Sequence, residues 1–511
     1  MSKKLRLVLG DQLNSRHSWF KNQEDEVVYV MMELRSETDY VQHHIQKVVG
    51  FFAAMKAFYL DLQAKGHEVL YIHLNDVSNK QSFQKNIQLL IEEHQFTHFE
   101  YQQPDEYRVD ELLKACCQAI TISSAVVDTE HFYTTRFELA EFFEGKKVYL
   151  MENFYRMLRK KHHVLMQGGQ PLTGKWNYDS DNRKKLPKNH KPTPPLVFSN
   201  DVAAIVDEVN EANIKTIGTI DAKNFVWPIT RAQSLQLLDF FLAECLPLFG
   251  SYQDAMLPNE WSLYHSRLSF ALNVKMLSPQ EVIDSAIQEW YRRPEVIEYN
   301  QLEGFVRQII GWREYMRGIY WAQMPEFASM NYFSHQAKLP QWFWNGNTKM
   351  NCLKQVIHQS LEYAYAHHIQ RLMVTGNFAL LAGIHPDEVD GWYLGIYIDA
   401  IEWVEITNTR GMSQFADGGI VGTKPYVSSA AYIDKMSHYC GSCFYKKQLK
   451  TGEKACPFNS LYWNFYDKQE AKLSSNPRIG MMYNLWRKMK SSDKAALLEQ
   501  ANYYLQNIED L

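Results

Sequence analysis

The chain has 511 residues, 46% of them hydrophobic and 22% charged, enough for a large buried core shared among two or three domains. Those proportions exclude a disordered, collagen-like or disulfide-framework protein. A formal charge of −4 excludes a global basic field, so a polyanionic partner would have to be met by a local patch. Two totals are less ordinary: aromatic residues reach 14%, and the seven cysteines are an odd number.

The N-terminal run MSKKLRLVLGDQLN is cut by Asp11 before it reaches signal-peptide length, and no apolar stretch is long enough to cross a bilayer. The expectation is a cytoplasmic protein with no membrane partner, whose thiols are free or metal-bound. Strands are predicted at Leu5–Leu9, Val27–Met31, Val69–Leu74, His98–Gln102, Ala125–Asp128 and Val148–Met151. Between the second and third, Ile45, Val48, Val49, Phe52, Met55, Tyr59 and Leu62 recur at helical spacing, and Gly66 stands where that helix would stop. Alternating strands and helices predict an α/β, Rossmann-like domain over residues 1–153. The first strand turns through Gly10-Asp11-Gln12-Leu13, which lacks the glycine fingerprint of a dinucleotide-binding turn.

Residues 154–200 are rich in Gly, Pro, Lys and Arg and read as an interdomain connection. Arg156, Arg159, Lys160, Lys161, Lys175, Arg183, Lys184, Lys185, Lys188 and Lys191 crowd cations there, as a solvated loop or a phosphate-binding surface would. Asp179 and Asp181 in the same loop are a weak pair for Mg²⁺. From residue 201 to 511 nearly everything has helical period, predicting an all-α domain.

Within that domain, Ser266 and Ser269 stand where a helix should begin, as serine caps or as ligands of a phosphate. Cys440 and Cys443 form a CxxC pair, followed by Cys456 and a proline, with Cys352 as the best fourth partner. This spacing fits an iron–sulfur cluster, a structural zinc or a redox CxxC. Cys116, Cys117 and Cys245 read as small core hydrophobes.

The run Tyr-His-Ser-Arg-Leu-Ser-Phe-Ala-Leu resembles the pyrophosphate clamp of the photolyase and cryptochrome superfamily. Gln308 to Tyr315 resembles the superfamily's E-L-x-W-R-E-F helix, and HHIQRLMVTGNF followed by GWYLGIYIDAIEWVE resembles its flavin-facing core. The LGDQL start, the four cysteines and the His367-His368 pair narrow the resemblance to the iron–sulfur bacterial (6-4) photolyases, over essentially the whole length.

The resemblance implies a light-driven enzyme, monomeric and bacterial, that repairs (6-4) photoproducts in UV-damaged DNA. It implies an N-terminal antenna domain holding 6,7-dimethyl-8-ribityllumazine, and a helical FAD domain with a [4Fe-4S] cluster on Cys352, Cys440, Cys443 and Cys456. FAD would be held by Tyr252, Ser266, Leu268, Ser269, Trp312, Arg313 and the Arg371/Asp399 pair, with Glu405 facing the ring nitrogen N5. His368 matches the histidine that protonates the lesion, with His367 orienting it, and the second histidine of eukaryotic relatives is replaced by Leu372. Gln308 stands where cyclobutane-dimer enzymes carry glutamate. Trp392, Tyr393 and Trp344 match an electron-transfer chain and would serve equally as core. Asp11, Gln12, Glu33, Tyr40, His43 and Lys47 are candidates for the antenna, and Lys160, Lys161, Arg183, Lys184 and Lys185 for DNA. A cryptochrome-like photoreceptor and a nucleic-acid-binding protein with a structural iron–sulfur domain are the competing readings.

Overall fold

Five parallel strands form a sheet in the order β3-β2-β1-β4-β5: β1 Lys4–Leu7, β2 Val27–Met32, β3 Glu68–Ile72, β4 His98–Gln102 and β5 Ser123–Val127. The computed structural model describes residues 3–146, 148–187 and 189–511; Lys188, one of the linker cations, lies outside them. Every residue of β2, Val-Val-Tyr-Val-Met-Met, is buried, because helices cover both faces of the sheet. The chain leaves β1 toward β2 and β3 on one side and reaches β4 and β5 on the other. The topological switch point therefore lies at the carboxyl ends of β1 and β4.

The sixth predicted strand, Val148–Met151, does not form. Met151 instead opens the helix Met151–Lys161, whose buried Phe154, Tyr155 and Leu158 follow helical spacing. Its Met151 and Tyr155 lie against Gly311 of the helical part, so this segment has a better place to bury its apolar face than a sheet edge. The connection that follows is not a free tether either. It makes a small hairpin, Met166–Gln167 with Gln170–Pro171, turned by Gly168 and Gly169 at positive φ. Beyond it, the buried Asn182 exchanges hydrogen bonds with the Asn300 carbonyl and side chain at 3.1 and 2.9 Å.

Residues 203–510 are helical, as expected. Four helices contain a π-turn among the described residues: 231–252 at Phe241–Cys245, 299–323 at Arg307–Arg313, 368–382 at Arg371–Gly376, and 402–413 at Thr407–Ser413. A π-turn widens a helix locally and swings its side chains off the regular stripe. Among the described residues no helix is long and apolar enough to cross a membrane.

The helix predicted from Ile45 runs Ile45–Ala64 and carries one continuous core from the sheet into the helical part. Its first-turn donors are satisfied from across the boundary: His44 N bonds Gly395 O and Ile45 N bonds Ile217 O, each at 2.9 Å. A Cβ on Gly395 would stand 2.4 Å from the Gln42 carbonyl oxygen, so only glycine allows this approach.

A second bond across the boundary is ionic. Lys275, 1% exposed, places Nζ 2.7 Å from Asp105 after β4 and 3.2 Å from Asp11 after β1. Burial alone would raise both carboxyls. Lys275 and the nearby Arg317 hold Asp105 below its ordinary value, whereas burial leaves Asp11 above its own. Replacing Lys275 with Met strands a buried charge and is expected to cost about 3–5 kcal/mol at pH 7. A depressed carboxyl stabilises above its unfolded value and loses that contribution as pH falls. Urea unfolding at pH 7 and near pH 4 should therefore show the deficit shrinking as Asp105 is protonated.

Candidate active site

The π-turns Arg371–Gly376 and Thr407–Ser413 pack on each other, and the helix that continues from Arg307–Arg313 packs on the second of them, so the flavin-facing candidates come into one region. Arg371 donates through Nη2 to both oxygens of Asp399, at 2.9 and 3.1 Å, and through Nε to Ala366 O at 2.6 Å. Its guanidinium lies 3.8 Å from the centre of the Tyr397 ring, so hydrogen bonds and a ring face fix the cation's plane. The Asp399 carbonyl accepts from Asn273 Nδ2 at 2.6 Å, and Asn273 in turn accepts from Arg313. Arg313 also stacks on Trp403 at 4.8 Å and donates to the Leu272 carbonyl. Burial lowers Arg313 to about 10.

His368 opens a short helical turn before Arg371; solvent reaches its side chain although protein surrounds it. Burial first, and Arg371 second, lower its imidazole to about 4. His367 is buried and stacks on His265 with ring centres 4.3 Å apart. Neither ring nitrogen of His367 has a partner, and neither has His265 Nε2. Glu405, buried, leaves Oε1 unpartnered and is pushed well above the usual carboxylate range by burial and by Asp390. Trp403 Nε1 and Arg313 Nε are also buried without partners. Buried polar atoms left unsatisfied among the described residues are what a bound polar ligand would complete.

Ser269 is the first residue of the helix Ser269–Asn273, whose N-cap position is held by Leu268 without a side-chain cap, and Ser266 Oγ accepts from Leu268 N at 3.4 Å just ahead of it, so neither serine caps the helix. Leu268 is fully buried, and Tyr252 ends a neighbouring helix in contact with the rings of Tyr264 and His190. Gln308, Trp312 and Arg313 share one π-turn and are half-buried. Leu372 is buried. Trp392 and Tyr393 sit with ring centres 5.4 Å apart, and Trp392 Nε1 donates to Phe343 O at 3.1 Å. Trp344 follows Phe343 and is half-buried. His265, Asp390 and Arg410 were not singled out from the sequence, because nothing local distinguishes them from ordinary core and surface residues.

A second cavity, of about 130 Å³, opens at the switch point of the sheet. Asp11, Glu33, Tyr40, His43 and Lys47 line it. Gln12 does not: fully buried, it accepts from Leu9 N and donates to the carbonyls of Gln102 and Gln103, clamping the ends of β1 and β4. Missing from the sequence reading are Glu37, Asp105 and Glu106, which also line the cavity. The last two follow β4, and the rule that ligands bind beyond strand carboxyl ends could have found them. Both ring nitrogens of His43 are buried and unpartnered. Burial, together with Glu402, raises Glu106 to about 7, whereas burial lowers Lys47 to about 8, with Nζ donating to Leu394 O at 2.7 Å.

Cys352, Cys440, Cys443 and Cys456 are free thiols that line one small pocket under the C-terminal helices. Among the described residues no three of their sulfurs lie within 4.8 Å of one another.

The linker cations are largely engaged. Lys161 pairs with Glu138 at 2.5 Å, Arg183 with Asp179, Lys175 with Asp181 at 3.1 Å, and Lys185 Nζ donates to Asp434 O at 2.6 Å. Lys160, Arg156 and Arg159 surround the Trp176 ring at 5.2–5.6 Å. Lys184 is exposed. Because Asp179 and Asp181 already hold cations, their pairing argues against Mg²⁺ between them.

Searches of known proteins agree with this architecture. The fold is that of photolyases and cryptochromes: a bacterial class III photolyase from Agrobacterium tumefaciens superposes with a TM-score of 0.57 at 14% identity, covering 96% of this chain and 98% of that one. The Synechocystis sp. PCC6803 cryptochrome gives 0.58 at 11% identity, covering 96% and 99%. Residues 6–225 match the family model "Deoxyribodipyrimidine photo-lyase-related protein". The "(6-4) photolyase" of Agrobacterium fabrum is 39% identical over 506 residues, covering 98% of this chain and 99% of its own, and the chain belongs to that photolyase family.

The Arg371–Asp399 pair can be tested without a ligand. Arg371→Met should destabilise the protein by about 2–3 kcal/mol in urea unfolding, below the usual range for a fully buried pair because Arg371 keeps part of its side chain accessible. Asp399→Asn, which keeps an acceptor for the guanidinium, should cost less.

Proposed function

We propose that this protein is a light-driven DNA repair enzyme acting on (6-4) photoproducts, with His368 supplying the proton that the lesion needs. The observation that carries this reading is a solvent-reached His368 that feels the charge of Arg371, itself fixed on Asp399, together with the partnerless buried polar atoms of His367, Trp403 and Glu405. The family of the Agrobacterium (6-4) photolyase supports the substrate.

The residues fit FAD. Ser266, Ser269 and Tyr252 would take its pyrophosphate, Arg371 and Asp399 would flank the ring, and Glu405 would face N5. When bound and photoexcited in its reduced form, FAD supplies one electron to the lesion and accepts it back. Arg371, held flat against Tyr397, stabilises negative charge at the ring. Burial and the charge of Asp390 raise Glu405 well above the usual carboxylate range, which favours the protonated form that would donate to the ring.

His368 is neutral in the free protein. Entry of DNA phosphates favours the imidazolium form, so binding itself loads the donor. His367, stacked on His265, fixes the backbone just before His368. The exposed cations around Trp176, with Lys184, would meet phosphates beside the cavity. The reading extends to the antenna cavity, whose carboxylates, His43 and Lys47 suit the hydroxyls and ring nitrogens of 6,7-dimethyl-8-ribityllumazine. The four-cysteine pocket suits a [4Fe-4S] cluster.

Illuminating the reduced holoprotein with an oligonucleotide carrying one defined (6-4) lesion should restore the normal bases, and His368→Ala should slow this by about 10²- to 10⁴-fold while FAD stays bound. Repair of a cyclobutane dimer in place of the (6-4) lesion would overturn the substrate. For the cluster, iron and acid-labile sulfide should be present in the wild type and lost together in Cys440→Ser and Cys456→Ser. Stoichiometric zinc in the wild type would exclude it.

A further inference from the structure

We propose that Asp390 is the proton partner of Glu405, and that Arg410 and Asp387 form the gate through which this buried pair exchanges its proton with solvent. The inference rests on the reading that FAD occupies the cavity beside Glu405.

Glu405 lies on the helix 402–413 and Asp390 on the helix Pro386–Ile396, which packs against it. Both carboxyls are buried, and each leaves one oxygen, Glu405 Oε1 and Asp390 Oδ1, without a hydrogen-bond partner. Such an oxygen in a protein interior calls for a proton or a donor. Asp390 Oδ2 is held by Arg410, with Nε at 2.8 Å and Nη2 at 2.6 Å. The same Nη2 pairs with Asp387, whose side chain is two-thirds exposed, and Nη1 donates to Met330 O at 2.8 Å. One guanidinium thus joins a buried carboxylate to a surface one.

The charges facing the pair are few. Glu405 faces Asp390, the Thr409 hydroxyl, Arg410 and Glu402, while Tyr393 and Lys47 feel its charge from the neighbouring helices. Asp390 faces Arg410, Asp387 and Glu402. Of the surrounding charges, that of Asp390 acts most strongly on Glu405. Burial raises Asp390 to about 7 even against Arg410. Two carboxyls so placed are not both ionised near neutrality.

Arg410 cannot give up a proton itself. It acts by position: while it clamps Asp387 the pair is sealed, and when that outer contact opens water reaches Asp390. A proton leaving Glu405 for an acceptor in the cavity is replaced from Asp390, and Asp390 takes one from water. The net change is one proton drawn from solvent, with no electron moved.

Infrared spectra of the full-length protein, with and without FAD, read the protonated-carboxyl bands directly as pH is varied. The wild type should show one band titrating near neutrality, absent from Asp390→Asn, and a second persisting to higher pH, absent from Glu405→Gln. In Asp390→Asn the Glu405 midpoint should fall by about one to three pH units, whereas Glu405→Gln should leave the Asp390 midpoint nearly in place, because Asp390 titrates first beside a neutral partner. Asp387→Asn should speed deuterium exchange of the Asp390 band. A Glu405 midpoint that ignores Asp390→Asn overturns the pairing, and an unchanged exchange rate in Asp387→Asn overturns the gate. Because the bands are read on flavin-free protein too, a protein that failed to bind FAD would sink the functional reading and leave the carboxyl pair measurable.

Discussion

The structure depends on where the helix Ile45–Ala64 begins. Its first amides have no partners of their own, and they find carbonyls at Gly395 and Ile217 on the far side of the domain boundary. That docking is possible only because Gly395 has no side chain to strike the Gln42 carbonyl. Once seated, the helix becomes a common wall. His43, Lys47, Val48, Phe51 and Met55 face the cavity of the sheet, while Gly50 lies against Ile398 and Phe270 of the helical part. The cavity of the sheet and the helical part are thereby held in fixed relation by one element.

The helical half uses a different device. Arg313, Arg371 and Arg410 each lie in a π-turn, where the helix is wider than its regular form. A regular helix would stack these side chains on one stripe with their neighbours. The widened turns let three cations point inward and find, respectively, Asn273, Asp399 and Asp390. Buried guanidinium groups are costly to desolvate, and each is returned its hydrogen bonds by carbonyls and carboxylates from other helices. The polar atoms left over around His367, His265 and Glu405 are those a flavin would meet.

Much of this was legible in the sequence. The five strands and the helix from Ile45 follow from periodicity and from Gly66, because burial on one or two faces writes itself into residue spacing. Val148–Met151 misled because a short apolar run is equally a strand or the entry to an amphipathic helix, and only its landing place on Gly311 decides. Gln12 was placed at the ligand by its neighbourhood, whereas its two-ended amide is spent on tying strand ends. The linker cations looked like a free basic surface, since charge runs do not reveal their partners. Glu138, Asp179, Asp181 and the Asp434 carbonyl already occupy several of them. Asp390, Arg410 and His265 could not be singled out, because their meaning lies in contacts between helices far apart in the chain.

The ion pairs of Lys275 complement the docked helix. Asp11 follows β1, Asp105 follows β4, and the lysine that serves both comes from the helical half. One core runs unbroken from β2 through Ile45–Ala64 to Trp403, while each half also keeps a cluster of its own, around Leu5, Phe99 and Leu113 in the sheet and around Trp342, Phe378 and Phe458 among the helices. The two halves visible in the topology therefore share one of their cores instead of meeting at a separable surface. An excised sheet would keep the core on its other face and would expose the inner face of that helix together with two carboxylates lacking their counter-ion.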